Sequence, residues 1–162
     1  MAAPPRIAAY SIGAALSPPG VENAAGGIST TFLKDPAWQD DPAIRDWLSF
    51  MDKYFSKGDK TSGAAVYGYA AAETLVQVLK QCGDDLSREN VMRQATVLRN
   101  CEPSVLLPGT KINTEPENFQ SIKQMRLVRF DGRTRQPIGD VIESAFSDAE
   151  KLAIASGARP LI

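Results

Sequence analysis

Apolar residues recur at three- and four-residue spacing through VYGYAAAETLVQVLKQC, residues 66–82, and predict the dominant helix of the chain. Val66, Tyr69, Ala70, Leu75, Val78, Leu79 and Cys82 fall near one face, with Glu73, Gln77 and Lys80 on the other side. Gly83 follows, and a glycine with positive φ is a common helix stop. A second amphipathic helix is predicted over residues 42–55. There Asp41 can cap, Pro42 suits the first helical position, and Ile44, Trp47, Leu48, Met51, Tyr54 and Phe55 form the stripe. A third follows Asp85 with Ser87 as cap, its stripe being Val91, Met92, Ala95 and Leu98.

Alternation and β-branching mark the rest. Residues 6–10 (RIAAY) read as a buried strand running into a loop at Ser11, Ile12 and Gly13. Residues 14–23 hold Pro18, Pro19 and Gly20 and leave room for at most a helical turn. Residues 26–34 (GGISTTFLK) read as a second strand. A strand, a short crossover and a strand suggest two neighbouring parallel strands with functional loops at their C-terminal ends. Asp35-Pro36 breaks the second strand, and the polar residues 56–63 lead into the dominant helix. Later, residues 111–113 suggest a brief strand and 115–118 a turn. Residues 122–130, Asp131-Gly132 and residues 133–142 read as a hairpin. Residues 144–162 suggest a short helix and a tail.

Composition removes several chemistries. The 162 residues contain no histidine, so Ser-His-Asp triads, Cys-His dyads and histidine zinc sites are unavailable. Two cysteines cannot complete a structural zinc site. Cys82 is placed at the end of one helix and Cys101 beyond the end of the next. In an antiparallel pair those ends lie farther apart than the roughly 7 Å Cα limit for bridging, which favours free thiols. A net charge of −1 without a Lys/Arg cluster gives no reason to expect nucleic acid. No apolar run approaches the ~20 residues that cross a bilayer, and the start MAAPPRIAAYSIG lacks the pattern of a signal peptide. No nucleophile with its base, no metal cluster and no phosphate loop can be assembled, so neither an enzyme nor a cofactor is expected.

Three blocks carry a resemblance: GVENAAGGISTTFLKDPAWQDDP, VYGYAAAETLVQVLKQCGDDLSRENVMRQA and LLPGTKINTEPENFQSIKQMRLVRFDG. Together, over roughly residues 6–143, they resemble the substrate-binding proteins of branched-chain amino acid type ABC transporters, which are type I periplasmic binding proteins. The resemblance implies an α/β chain with a partial type I periplasmic binding protein fold, the C-terminal part of a two-lobed, doubly wound protein. By that likeness residues 1–34 are a strand-helix-strand part of the second lobe, and 35–118 a three-helix segment of the first. Residues 119–143 return as a strand and hairpin of the second lobe, and 144–162 form a C-terminal helix and tail. The family's N-terminal portion, including the motif that grips a ligand's α-carboxylate and amine, has no counterpart in this sequence.

Tyr10 and Ser11, at a strand end, are the candidate ligand-binding residues; in the family this loop faces the cleft, while the bland alternative is an ordinary strand-end loop. Thr31 and Phe32 suit packing or a hinge. Tyr67 and Tyr69 could stack on a ligand, but at helical spacing they suit the core better. Asp40-Asp41 and Asp84-Asp85 flank helix starts and read as caps.

The implied function is solute binding for an ABC-type uptake system for branched-chain or related amino acids and small carboxylates, by cleft closure without chemistry. The partners implied are a small-molecule ligand and the transporter's membrane subunits, with the complete protein in the periplasm. The alternative is an extracellular ligand-sensing domain of a receptor with the same fold. The helical stripes around Trp47, Leu48 and Met51, and around Leu75, Val78 and Leu79, suit a sheet that two strands cannot supply. The isolated chain is therefore expected to self-associate.

Overall fold

The computed structural model describes residues 25–143. In chain order these form β1 (Ile28–Thr31), α1 (Pro42–Tyr54), α2 (Gly63–Cys82), α3 (Arg88–Ala95), β2 (Gln124–Phe130) and β3 (Arg135–Glu143). The helices occupy the middle of the sequence, between strands that pair with one another.

Local chemistry accounts for each helix. Asp41 caps α1, its carboxylate accepting from the amides of Ala43 at 2.9 Å and Ile44 at 3.3 Å, with Pro42 in the first turn. The same oxygen accepts from Lys34 Nζ at 2.9 Å. Burial raises the Asp41 carboxyl, but the Lys34 hydrogen bond and charge, with the two amides, outweigh it and hold the group below its usual value. Helix α2 begins at Gly63, three residues before the strongest periodicity, because Gly63, Ala64 and Ala65 offer no obstacle to helical backbone. It ends at Gly83, whose φ of 60° is positive as expected. The accompanying ψ of −133° lies outside the left-handed helical well, in a region that glycine alone enters readily.

Helix α3 is capped by Ser87 as expected, its hydroxyl accepting from Asn90 N at 3.3 Å. Its stripe differs from expectation. Met92 is exposed, Leu98 lies past the helix end, and the buried helical position is Asn90. The reason is hydrogen bonding: Asn90 Nδ2 donates to the carbonyls of Cys82 at 3.1 Å and Asp85 at 2.7 Å. A polar side chain is thus drawn inward to satisfy carbonyls left open at the end of α2.

The sheet has the order β1-β2-β3, and both pairings are antiparallel. The expected parallel partner, residues 6–10, lies outside the described residues. The hairpin forms as expected. Asp131 accepts from the amides of Arg133 and Thr134, each at 2.8 Å, and Gly132 adopts a φ of 103°. The ladder is interrupted between Arg126 and Leu127, where Gly139 has a φ of 62° and its carbonyl accepts from Arg126 Nε at 2.8 Å. Pro137 is tolerated because β3 stands at an edge of the described sheet.

The main core lies in the helical layer. Ile44, Trp47, Met51, Val66, Ala70, Val78 and Cys82 pack with Leu33, Leu98, Val105, Leu106 and Ile112. This corrects one expectation. The Trp47 and Met51 face of α1 is covered within the chain, with exposures of 0% and 4%, in one buried cluster that also takes in Val105 and Leu106, which carry no periodic signal. Leu75 and Leu79, by contrast, are bare at 53% and 39%.

Two connections weld the layers. Leu33 bridges Leu106, with Lys34 N donating to Val105 O and Leu107 N to Phe32 O. Asp35, nearly buried, receives Arg135 Nε at 2.8 Å and Arg135 N at 3.2 Å on one oxygen, and Ala37 N at 2.9 Å on the other.

Candidate functional site

The register Thr31↔Arg126 brings the end of β1 beside the start of β2. The chain therefore leaves the sheet after Thr31 and re-enters it before Gln124 at the same end. A cleft of about 280 Å³ opens there between the strand exits, the first half of α2 and the 98–122 segment. Phe32, Tyr67, Ala70, Ala71 and Thr74 line it on one side; Leu98, Leu106, Ile112, Thr114, Ser121 and Ile122 line the other.

Each wall has a local cause. Ile112 bridges both Cys101 and Ile122, so the expected brief strand at 111–113 exists only as isolated ladder pairs. Thr114 is buried and pins the wall: its hydroxyl donates to Ala95 O at 2.7 Å and accepts from Leu98 N at 2.9 Å. Ala70 and Ala71 are small enough to leave a hollow on α2. Tyr67 stands at the mouth, 53% exposed, and meets Phe32 edge to face with ring centroids 6.3 Å apart. The expectation that Tyr67 belongs to the core is thus corrected. Tyr69 does pack against the core cluster, and it also meets Phe50 at 5.1 Å.

The chemistry of the cleft follows from its lining. Most of the wall is aliphatic or aromatic, and no charged side chain is among the lining residues. The Thr74 hydroxyl is held by Ala70 O at 2.8 Å, and that of Thr114 as described. The cleft suits the hydrocarbon end of a small solute. Among the described residues that line it, none supplies a counter-charge for an ammonium or a carboxylate. Among the described residues no group of three or more acids or cysteines could hold a metal ion. No helix there is long and apolar enough to cross a membrane.

Tyr10 and Ser11 lie outside the described residues. Thr31 is buried, and its hydroxyl closes on the backbone of Leu33. Asp41 and Asp85 act as expected at helix starts; Asp85 accepts from Ser87 N at 3.0 Å. Both cysteines are free, Cys82 buried and Cys101 half-buried. Burial, followed by the nearby charges of Glu73 and Glu102, raises the Cys101 thiol above its ordinary value. Ser121 and Leu106 give no sign of being site residues, since an aperiodic loop carries no signal of what it faces, and Ile122 reads only as the start of a strand.

A model of a family described as periplasmic binding protein matches residues 5–135. No curated protein matches the sequence. Two solved structures share the fold. One is a possible leucine/isoleucine/valine-binding protein from Rhodopirellula baltica SH 1. It is 18% identical with a TM-score of 0.67, over 85% of this chain and 36% of that one. The other is a branched chain amino acid ABC transporter protein from Thermus thermophilus with bound valine. It is also 18% identical, with a TM-score of 0.58, over 75% of this chain and 34% of that one. The chain spans about a third of the length of these proteins. It belongs to the periplasmic binding protein family, and its fold is part of the two-lobed α/β architecture of that family.

Proposed function

We propose that this member of the family is the C-terminal part of a solute-binding component of ABC-type uptake. Its solutes would be branched-chain or related amino acids and small carboxylates, captured by cleft closure without chemistry. In this reading residues 35–118 belong to one lobe, residues 1–34 and 119–143 to the other, and the complete protein works in the periplasm beside membrane subunits. The observation that carries it is the side-by-side placement of the two strand exits, after Thr31 and before Gln124, with an apolar cleft at their junction. Two adjacent crossings form a natural hinge line, and a ligand held at such a line stabilises the closed state. The hydrocarbon lining fits a branched aliphatic side chain, and the valine bound to the Thermus thermophilus protein is a solute of that kind. Tyr10 and Ser11 would add polar contacts from the second lobe.

In this reading the cleft is part of a site: its described lining offers no charged partner for the α-ammonium or α-carboxylate, and burying either unpaired is unfavourable. Binding of valine or leucine to this chain should therefore be no tighter than about 1 mM, near −4 kcal/mol. Amide chemical shifts followed during titration with valine, leucine, glutamine and benzoate test the reading. Saturable millimolar changes confined to residues around Phe32, Tyr67 and Ser121, larger for the branched aliphatic solutes, are expected. No change with any of them, or changes centred elsewhere, would overturn it.

A further inference from the structure

The described residues divide into two packed bodies. Among them, the buried core built on α1 and α2 with Leu33, Leu98, Val105, Leu106 and Ile112 takes in no residue of β1, β2 or β3. The strands in turn pack extensively only on one another. Two crossings join the bodies, and each changes sides within a residue or two. At the first, Thr31 still pairs with Arg126 of the sheet, whereas Phe32 O already accepts from Leu107 N and Lys34 N donates to Val105 O. At the second, Ile122 bridges Ile112 and Gln124 pairs with Glu143, which leaves Lys123 between the two. Backbone that changes ladders so abruptly absorbs a rotation in few dihedrals, as hinges do.

Two side-chain ties cross the same boundary, at opposite ends of the β2–β3 ladder. At the crossing end, Gln124 Oε1 accepts from Lys111 N at 3.3 Å while its Nε2 donates to Glu143 Oε1 at 3.2 Å. At the hairpin end, where Arg135 pairs with Phe130, Arg135 Nε and N reach Asp35 at 2.8 Å and 3.2 Å. Asp35 is held in the helical body. Its other oxygen accepts from Ala37 N at 2.9 Å, its carbonyl accepts from Trp38 N at 2.9 Å, and Lys34 beside it pairs with Asp41, the cap of α1. The Arg135 guanidinium also lies over the start of α2, where a Cβ added at Gly63 would sit 3.5 Å from Nη2.

The two ties differ in leverage. Gln124 stands next to Lys123 and moves little when the sheet turns. Phe130 ends β2 where Gln124 begins it, about 20 Å away at about 3.3 Å per residue, so a turn of about 10° about the crossings carries the hairpin end by about 3 Å. Such a displacement breaks a hydrogen bond of ordinary length.

We propose that the Asp35–Arg135 pair is a releasable latch between the two bodies: made, it holds the sheet in one orientation against the helical layer, and broken, it frees the sheet to turn about Phe32 and Lys123. A guanidinium–carboxylate pair suits the task because it is directional and nearly dry, so few intermediate geometries keep it. The latch rests on the two-lobe reading proposed above and is independent of what the cleft binds.

Nitroxide pairs on the full, solute-free 162-residue chain, read by pulsed electron resonance in a Cys82→Ala/Cys101→Ser background, test it. One pair, at Lys57→Cys and Arg133→Cys, spans the two bodies; the other, at Lys57→Cys and Arg88→Cys, lies within the helical body, and all these positions are exposed. With the latch intact, the spanning pair should give a single narrow distance. Asp35→Ala and Arg135→Met should each broaden that distribution or shift it by about 3 Å, while the within-body pair and the helical circular dichroism stay unchanged. Gln124→Ala, at the pivot end, should leave both pairs as in the parent. A broad spanning distance with the latch intact, an unchanged one in Asp35→Ala, equal broadening of both pairs, or a Gln124→Ala effect as large as that of Asp35→Ala would overturn the latch. Failure of valine to bind would leave the latch standing, and unchanged distances would leave the solute reading standing.

Discussion

Removing the Asp35 carboxylate should be among the most damaging single polar changes in this chain. Asp35 and Arg135 are a hundred residues apart in sequence, and their side chains are only 10% and 14% exposed. One carboxylate oxygen takes two donors from Arg135 and the other takes Ala37 N, so the group ties the exit after β1 to the start of β3. Asp35→Ala leaves a guanidinium and two amides without their acceptor in a nearly dry site. Breaking a buried pair from one side costs about 3–5 kcal/mol, against less than about 1 kcal/mol for an exposed pair. Residual exposure of both groups puts the expectation at about 3 kcal/mol.

Arg135→Met should be milder, about 2 kcal/mol, since Asp35 keeps two backbone donors that stabilise its charge. The double variant Asp35→Ala/Arg135→Met should lose less than the sum, with a coupling of about 1–3 kcal/mol. Urea unfolding followed by far-ultraviolet circular dichroism reads all three, and thermal midpoints should fall by about 2–4 °C per kcal/mol. A loss below about 0.5 kcal/mol for Asp35→Ala, or zero coupling in the cycle, would mean the pair behaves as a solvated surface contact. The pair would then not be what fastens the chain after β1 to β3.

Three further outcomes follow from single contacts. The Asp41 carboxyl is held low in the folded state, so its stabilising contribution is present above the unfolded value near 3.8 and is lost as pH falls through the folded one. Lys34→Met should shrink that contribution, and the gap between wild-type and variant urea midpoints should close in strong acid; a gap independent of pH would contradict the cause assigned. Cys82 and Cys101 should both react with a thiol reagent in denaturant. In the native protein near pH 8, Cys101 should react more slowly than the unfolded thiol; equal rates, or no free thiol, would refute this. Asn90→Ala opens the carbonyls of Cys82 and Asp85 and should destabilise by about 2 kcal/mol, with faster amide exchange at the α2–α3 junction; a neutral result would show that water satisfies those carbonyls instead.

The legible part of the fold is the part whose physics is local. Asp41, Pro42 and Ser87 mark helix starts, Gly83 marks a stop, and Asp131-Gly132 marks the hairpin, because capping and turn geometry involve residues within a few positions. Side chains that answer to distant partners were not legible. Asn90 falls outside the apolar stripe read from the sequence, and only the carbonyls of Cys82 and Asp85 beside it explain its burial. Asp35 reads as a strand breaker until Arg135 arrives from a hundred residues away. Val105 and Leu106, which join Leu98 and Ile112 in the core, come from a segment with neither the period of a helix nor that of a strand. For the same reason Trp47 and Met51 read as needing a partner sheet when the chain itself covers them.

The position of the cleft follows from those same long-range contacts. Thr31 against Arg126 sets the two strand exits together, the Leu33–Leu106 bridge pins the first of them, and the Asp35–Arg135 pair fastens the chain just beyond it to the hairpin end of β3. Phe32 sits among these anchors, between buried Thr31 and Leu33, and its ring meets Tyr67 edge to face. An apolar hollow at a junction whose flanks are pinned can order a solute at low entropic cost to the walls, since the walls are already fixed. Loosening the junction should therefore weaken solute binding without touching a lining residue. Asp35→Ala is predicted to reduce the millimolar affinity for valine at temperatures where the variant remains folded, while Lys60→Ala, which removes an exposed ion pair with Asp52, should not. Equal titration curves for wild type and Asp35→Ala would mean that the cleft is shaped by its lining alone.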